Sequence, residues 1–202
     1  MVVRHGLQHD ARPDTTRAAS ARPCDCGVTV WLTGLPSAGK STIAEVLAER
    51  LRAEGCRVEV LDGDAVRETL SQGLGFSRTD RDTHVRRIGM VAEVLARNGV
   101  IVLVPVIAPY ADSRAAVRER HAKSDTPYLE VHVATPVATC SERDVKGLYA
   151  KQRDGEISGL TGVDDPYEVP VAPDMRIPAH AQSVAESASM LLGLLAERHF
   201  LR

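Results

Sequence analysis

Aromatic residues are scarce in this chain: Phe, Trp and Tyr together make up 3% of its 202 residues. That excludes a nucleic-acid platform built on rows of base-stacking rings. An excess of one charge is also missing. Lys and Arg number 25 against 27 Asp and Glu, for a net charge of −2. Nothing here suits wrapping a DNA or RNA backbone, so any anion must be held by a local site. No apolar run approaches the roughly 20 residues that a membrane-spanning helix needs. Cysteine is limited to Cys24, Cys26, Cys56 and Cys140. One C-x-C pair with no second pair makes no zinc site, and reduced thiols in a cytoplasmic protein are expected.

Residues 1–27 carry Arg4, Arg12, Arg17 and Arg22 among Ala, Ser, Thr and Pro. They lack the apolar stretch of a secretory signal and are expected to form a disordered extension. From Val28 onward the pattern is that of a folded domain, 28–202. Strands are predicted at Val28–Leu32, Arg57–Leu61, Val100–Val106, Tyr128–Val133 and Met175–Ile177. Between them, helices are predicted at Ser41–Glu54, Ala65–Ser71, from the capping residue Asp80 to Arg97, at Ser113–Ala122 and Pro136–Arg143, with a closing helix at Ser183–Phe200. Strands alternating with helices imply a parallel α/β sheet. Residues 144–173 are polar, rich in Gly, Pro and Asp, and show little periodicity; a segment that long is functional or disordered.

The strongest local signal is Gly34-Leu35-Pro36-Ser37-Ala38-Gly39-Lys40-Ser41, followed by Thr42. It fits G-x-x-x-x-G-K-[ST] between a predicted strand and a predicted helix. The glycines let successive N–H groups point at phosphate oxygens, and the helix adds its positive end. In such a loop Lys40 reaches the β- and γ-phosphates of ATP, and the Ser41 hydroxyl faces Mg²⁺. The loop alone does not choose among kinases, GTPase switches and motors. No N-K-x-D guanine motif is present and the chain is short for a motor, which favours a small kinase.

Further segments follow in order: Leu61-Asp62-Gly63-Asp64-Ala65-Val66-Arg67, Gly75-Phe76-Ser77 with Asp80-Arg81, Arg86-Arg87-Ile88-Gly89, Ile107-Ala108-Pro109-Tyr110, Lys146-Gly147-Leu148-Tyr149, and Thr161 through Glu168. With the phosphate loop, these resemble the adenylylsulfate (APS) kinases from about Val28 to Ile177. The resemblance implies a P-loop NTPase three-layer sandwich with a parallel central sheet and a mobile lid near 144–173. It implies transfer of the ATP γ-phosphate to the 3′-hydroxyl of adenylyl sulfate, as in sulfate assimilation. Asp62 is then the base for that hydroxyl; its alternative role is capping the next helix. Asp64 is implied beside the metal or ribose, and Arg67 and Arg81 as fork-shaped ligands for the phosphosulfate. Phe76 is implied against the acceptor adenine, its alternative being a core role. His84, Ile107, Ala108, Lys146, Gly147, Leu148, Gly159 and Leu160 complete the acceptor side. Lys151 and Arg153 are either charges beside the transferred phosphate or solvated lid residues. The family often forms dimers, which makes a homodimer the implied assembly.

Four positions depart from the family pattern. His84 stands where Asn is usual, Ala108 where Ser is usual, and Val106 and Leu160 where Phe is usual. Leucine can cover a base but cannot stack on it as a ring does. These changes leave open an alternative: a kinase of the same build acting on another nucleotide or nucleoside-like metabolite. A nucleotide-binding regulator without catalysis would need a defect at Lys40, Ser41 or Asp62, and all three residues are in place.

Overall fold

The computed structural model describes residues 26–201. Of the expected N-terminal extension, 1–25 lie outside the described residues, whereas Gly27 is buried. Five strands form one parallel sheet: β1 Val28–Thr33, β2 Val58–Val60, β3 Ile101–Pro105, β4 Tyr128–Val133 and β5 Met175–Ile177, in the order β2-β3-β1-β4-β5. The strands β1 and β3 pair from Val28↔Ile101 to Leu32↔Pro105. Both are buried along their whole length. A parallel strand covered on both faces is apolar throughout, which is why these two segments read as continuous apolar runs.

Successive side chains leave a strand on opposite faces. Val28, Val30, Leu32, Ile101 and Leu103 enter one core, and Trp31, Val102 and Val104 enter the other. The first core is closed by α1 (Lys40–Ala53) and α7 (Val184–Glu197). Ile43, Leu47 and Leu51 recur every four residues on the buried face of α1, each contributing about 1.5–3 kcal/mol by leaving water. The second core lies under α3 (Arg78–Ala96), with α4 (Ala111–Lys123) packed beside it. At Gly89 a Cβ would stand 2.6 Å from Val117 Cγ2, so the two helices approach closely only because Gly89 lacks one. The short helix α2 (Gly63–Glu68) follows β2.

Two boundaries are corrected. Ser77, not Asp80, caps α3: the Ser77 hydroxyl accepts from Asp80 N at 3.2 Å, and Asp80 lies inside the first turn. Serine is the stronger candidate because its oxygen reaches the N–H three residues on. The segment 144–173, expected to be irregular, contains a helix, α6 (Leu148–Arg153), after α5 (Val137–Arg143). The Asp144 carboxylate accepts from the backbone N–H of Tyr149 and Ala150 at 3.0 and 2.9 Å, satisfying donors that a helix start leaves free. The cysteine expectation is corrected as well. Cys26 and Cys140 are free thiols, but Cys56 is disulfide-bonded. Bridging depends on which Cβ atoms meet in the fold, and spacing along the chain does not show that. Among the described residues no helix is long and apolar enough to cross a membrane.

Candidate active site

A parallel sheet presents its ligand crevice at the carboxyl ends of its strands, where the helices that follow diverge to opposite faces. Here β1 leads into the phosphate loop, β2 into Asp62, and β3 into Ile107 and Ala108. All of these line one cavity of about 480 Å³.

The phosphate loop is shaped by close approach. A Cβ on Gly34 would lie 2.6 Å from the Val133 carbonyl oxygen of β4. Gly39 caps α1 with φ +100, a conformation that excludes most side chains. Lys40 begins the helix and is buried. Its Nζ donates to the Gly34 and Leu35 carbonyls at 3.0 and 2.7 Å. Burial pulls its pKa down to about 8, opposed chiefly by Cys140 and then by Asp64. Tyr149 of α6 donates to the Pro36 carbonyl at 3.2 Å, tying the lid segment to this loop.

Asp62 stands at the N-terminus of α2 and has two partners. Its Oδ1 accepts from Asp64 N at 2.9 Å and its Oδ2 from the Ser41 hydroxyl at 2.6 Å. Helix capping is therefore part of its role, and its second oxygen faces the phosphate loop. The Ser41 hydroxyl is a hard oxygen donor that fits Mg²⁺, which uses one or two protein ligands together with substrate phosphates. No group of three or more His, Cys, Asp and Glu suited to a metal exists among the described residues. Asp64 also lines the cavity and pairs with Lys146 from the lid segment.

Across the cavity, Phe76 is 68% exposed, which removes its core alternative. The Arg67 and Arg81 guanidinium carbons lie 4.8 and 5.9 Å from its ring centre. Arg67 donates to the Gly75 carbonyl at 2.9 Å. Arg81 spans two segments: it donates to the Phe76 carbonyl, the Thr161 hydroxyl and the Gly159 carbonyl at 2.8, 2.5 and 2.6 Å. Asp165 accepts from the Tyr110 hydroxyl at 3.0 Å, and Glu168 accepts from Ala111 N at 2.6 Å. The Thr161–Glu168 motif is thus an anchor that joins the lid to the loop after β3. Ala108 sits at φ +43, and its carbonyl is held by Arg114 at 2.8 Å.

The cavity gathers Pro36, Ser37, Ala38, Gly39, Lys40, Ser41 and Thr42 with Asp62, Asp64, Arg67, Phe76, Arg81, His84, Ile107, Ala108, Lys146 and Leu148. It does not include Gly34, Leu35, Gly147, Gly159 or Leu160. The expectation that Leu160 faces the acceptor is corrected: it is 7% exposed and packs in the core that also holds Leu35 and Tyr149. An apolar side chain in a polar loop found dry surface beneath the loop rather than a ligand above it. Lys151 and Arg153 are exposed and lie outside the cavity wall, in line with the solvated alternative. Sequence reasoning missed Arg143, Gln182, Ser183, Val184 and Ser187, which also line the cavity, Arg143 close to Gly39 of the phosphate loop. The spacing Ser183-x-x-Glu186 marked a helix start, and both halves of that capping box form. Only the order β1-β4-β5 brings it beside the phosphate loop.

Comparison with known proteins places this geometry among kinases. The family model described as adenylylsulphate kinase matches residues 26–178. A probable adenylyl-sulfate kinase of Synechocystis is 53% identical over 175 residues, covering 87% of this chain and 97% of that protein. The adenylyl-sulfate kinase of Chloroflexus aurantiacus is 52% identical over 169 residues, covering 84% and 89%. The APS kinase of Mycobacterium tuberculosis, solved in complex with AMPPNP and APS, superposes with a TM-score of 0.82 at 45% identity and covers 85% of this chain and 98% of its own.

Proposed function

Because the chain belongs to the adenylylsulphate kinase family, we propose that it transfers the γ-phosphate of ATP to the 3′-hydroxyl of adenylyl sulfate, giving ADP and 3′-phosphoadenylyl sulfate. One observation carries this reading: a single cavity joins the phosphate loop and Asp62 to Phe76 and the guanidinium groups of Arg67 and Arg81. The first pair suits a nucleoside triphosphate and a hydroxyl to be activated. The second suits an aromatic base beside a doubly anionic group.

Each residue then has a task. Lys40 exchanges the carbonyls of Gly34 and Leu35 for phosphate oxygens. The loop N–H groups and the start of α1 hold the same phosphates. Mg²⁺, when bound with ATP, would neutralise phosphate charge, and Ser41 is the residue that would hold it, with Asp64 nearby on the cavity wall. Asp62 Oδ2 takes the proton of the 3′-hydroxyl. The O3′–phosphorus bond forms as the bond from phosphorus to the β,γ-bridging oxygen breaks. Arg67 and Arg81 fix the phosphosulfate, and Phe76 covers the adenine. Lys146, tied to Asp64, brings the lid to the acceptor. Catalysis that draws on ATP fits a cytoplasmic protein, and a homodimer is the assembly that the resemblance implies.

A second reading, another nucleotide as acceptor, is favoured by the departures at His84, Val106 and Ala108, all of which line the cavity. Leu160 no longer supports it, since that residue is in the core. A panel of adenosine, cytidine and guanosine nucleotides beside adenylyl sulfate, with product mass and phosphate position determined, separates the two. Preferential 3′-phosphorylation of adenylyl sulfate supports the first; preference for another member of the panel supports the second.

A further inference from the structure

Successive carbonyls of the loop after β3 are each held by a different part of the chain. The Ile107 carbonyl accepts from the Thr33 hydroxyl at 2.5 Å, just before the phosphate loop. The Ala108 carbonyl accepts from Arg114 Nη1 at 2.8 Å. The Pro109 carbonyl accepts from Glu168 N at 2.8 Å, at the far end of the lid motif. Ile107, Ala108 and Pro109 all line the cavity. Ala108 stands at φ +43, a conformation that persists only where its surroundings over-determine it.

Arg114 serves both sides of this arrangement. It lies near the start of α4, is 4% exposed, and forms no part of the cavity wall. Beside its bond to Ala108, its Nη2 donates to the Glu168 carbonyl at 2.6 Å and its Nε to Glu130 Oε1 of β4 at 2.8 Å. Glu130 is fixed in turn: its N–H donates to Asp174 Oδ2 at 2.8 Å, and its Oε2 accepts from Arg118 at 3.3 Å. The guanidinium is thus rooted on the sheet and extends one nitrogen to each of two loops. Its rigid planar fork makes that span possible, because its N–H groups leave in different directions. Glu168 Oε2 adds a second tie, accepting from Ala111 N at 2.6 Å.

We propose that Arg114 is a positioning residue for the acceptor: by holding the Ala108 and Glu168 carbonyls at once, it makes loop 107–110 and the end of the lid motif one unit, and so sets how tightly the acceptor binds without affecting ATP. The inference rests on the reading above, in which Ile107 and Ala108 face the acceptor.

The test joins kinetics to amide hydrogen exchange on the full chain. Arg114→Lys keeps a charge for Glu130 but cannot reach three separated acceptors. It should raise KM for adenylyl sulfate by about 10-fold, the size of a lost hydrogen bond to a charged group, with KM for ATP within about twofold. The Glu168 and Ala111 amides should both exchange about 10-fold faster in this variant, and in the unmodified protein they should open together with one free energy. Should Arg114→Lys not fold, Arg114→Gln combined with Glu130→Gln leaves no unpaired buried charge and should give the same split. Glu130→Gln alone retains an accepting oxygen and should stay within about twofold of the unmodified protein in both KM values. Equal losses for ATP and adenylyl sulfate, an unchanged KM for adenylyl sulfate, or independent opening of the two amides would overturn the proposal. So would Glu130→Gln reproducing the Arg114→Lys defect, since the ion pair alone would then be what matters. If the unmodified protein shows no turnover with adenylyl sulfate, the functional reading fails instead, and the exchange of the two amides still decides whether Arg114 joins the loops.

Discussion

The Ser41 hydroxyl donates a 2.6 Å hydrogen bond to Oδ2 of Asp62, joining the phosphate loop after β1 directly to the carboxylate after β2. Asp62 Oδ1 meanwhile caps α2 through Asp64 N. These two duties can be separated by substitution. Asp62→Asn keeps an oxygen for the cap but removes the base, so kcat should fall by about 10²–10⁴-fold with little change in thermal stability. Asp62→Ala should lose turnover and, in addition, about 0.5–2 kcal/mol of stability as the cap disappears. Steady-state kinetics beside thermal denaturation distinguish them. Near-normal kcat in Asp62→Asn would remove the base assignment.

Lys40 gives a pH dependence whose direction follows from its pKa of about 8. Below that value the ammonium is charged and attracts phosphate. As pH rises through about 8 the charge is lost, so kcat/KM for ATP should decline on the alkaline side. By linkage, ATP binding at pH 8.5 should take up protons, measurable as a dependence of the calorimetric heat on the buffer's ionisation enthalpy. A buffer-independent heat would contradict this.

Arg81 holds the lid motif through Thr161 and Gly159 and the acceptor loop through Phe76. Lysine keeps the charge but cannot span three acceptors. Arg81→Lys should therefore lower kcat/KM for the acceptor by roughly 10–100-fold, the size of one charged hydrogen bond of about 1.5–3 kcal/mol. It should also speed proteolysis within 154–173. Unchanged proteolysis together with unchanged kinetics would show that Arg81 does not hold the lid.

Ala108 occupies a left-handed conformation, φ +43, which costs a residue with a Cβ about 1–2 kcal/mol. Part of that returns as chain entropy when glycine replaces it. Ala108→Gly should therefore stabilise the fold by up to about 1 kcal/mol, raising Tm by roughly 2–4 °C. A lower Tm would mean that Ala108 contacts outweigh the strain.

Much of this was legible in the sequence because local rules and tertiary placement agree. Tyr128–Val133 and Met175–Ile177 read as strands and are strands. The phosphate loop needed only its glycines, lysine and serine. What escaped depended on distant partners. Leu160 looked like a cover for a ligand, yet it packs in the core that holds Leu35. A neighbouring Cβ at Gly162 would collide with Leu35 Cδ2 at 2.4 Å, and nothing near 160 in the chain announces that approach. Arg143 and the start of α7 reach the cavity only through the sheet order. Asp80 was expected to cap α3, but the cap is the Ser77 hydroxyl three residues earlier, which accepts from Asp80 N.

The most direct measurement is ADP release by the full chain with ATP and Mg²⁺, with and without adenylyl sulfate, beside Lys40→Ala. Strong stimulation by adenylyl sulfate, abolished in Lys40→Ala, is the predicted result. ADP release no faster with adenylyl sulfate than without it would contradict the proposed function.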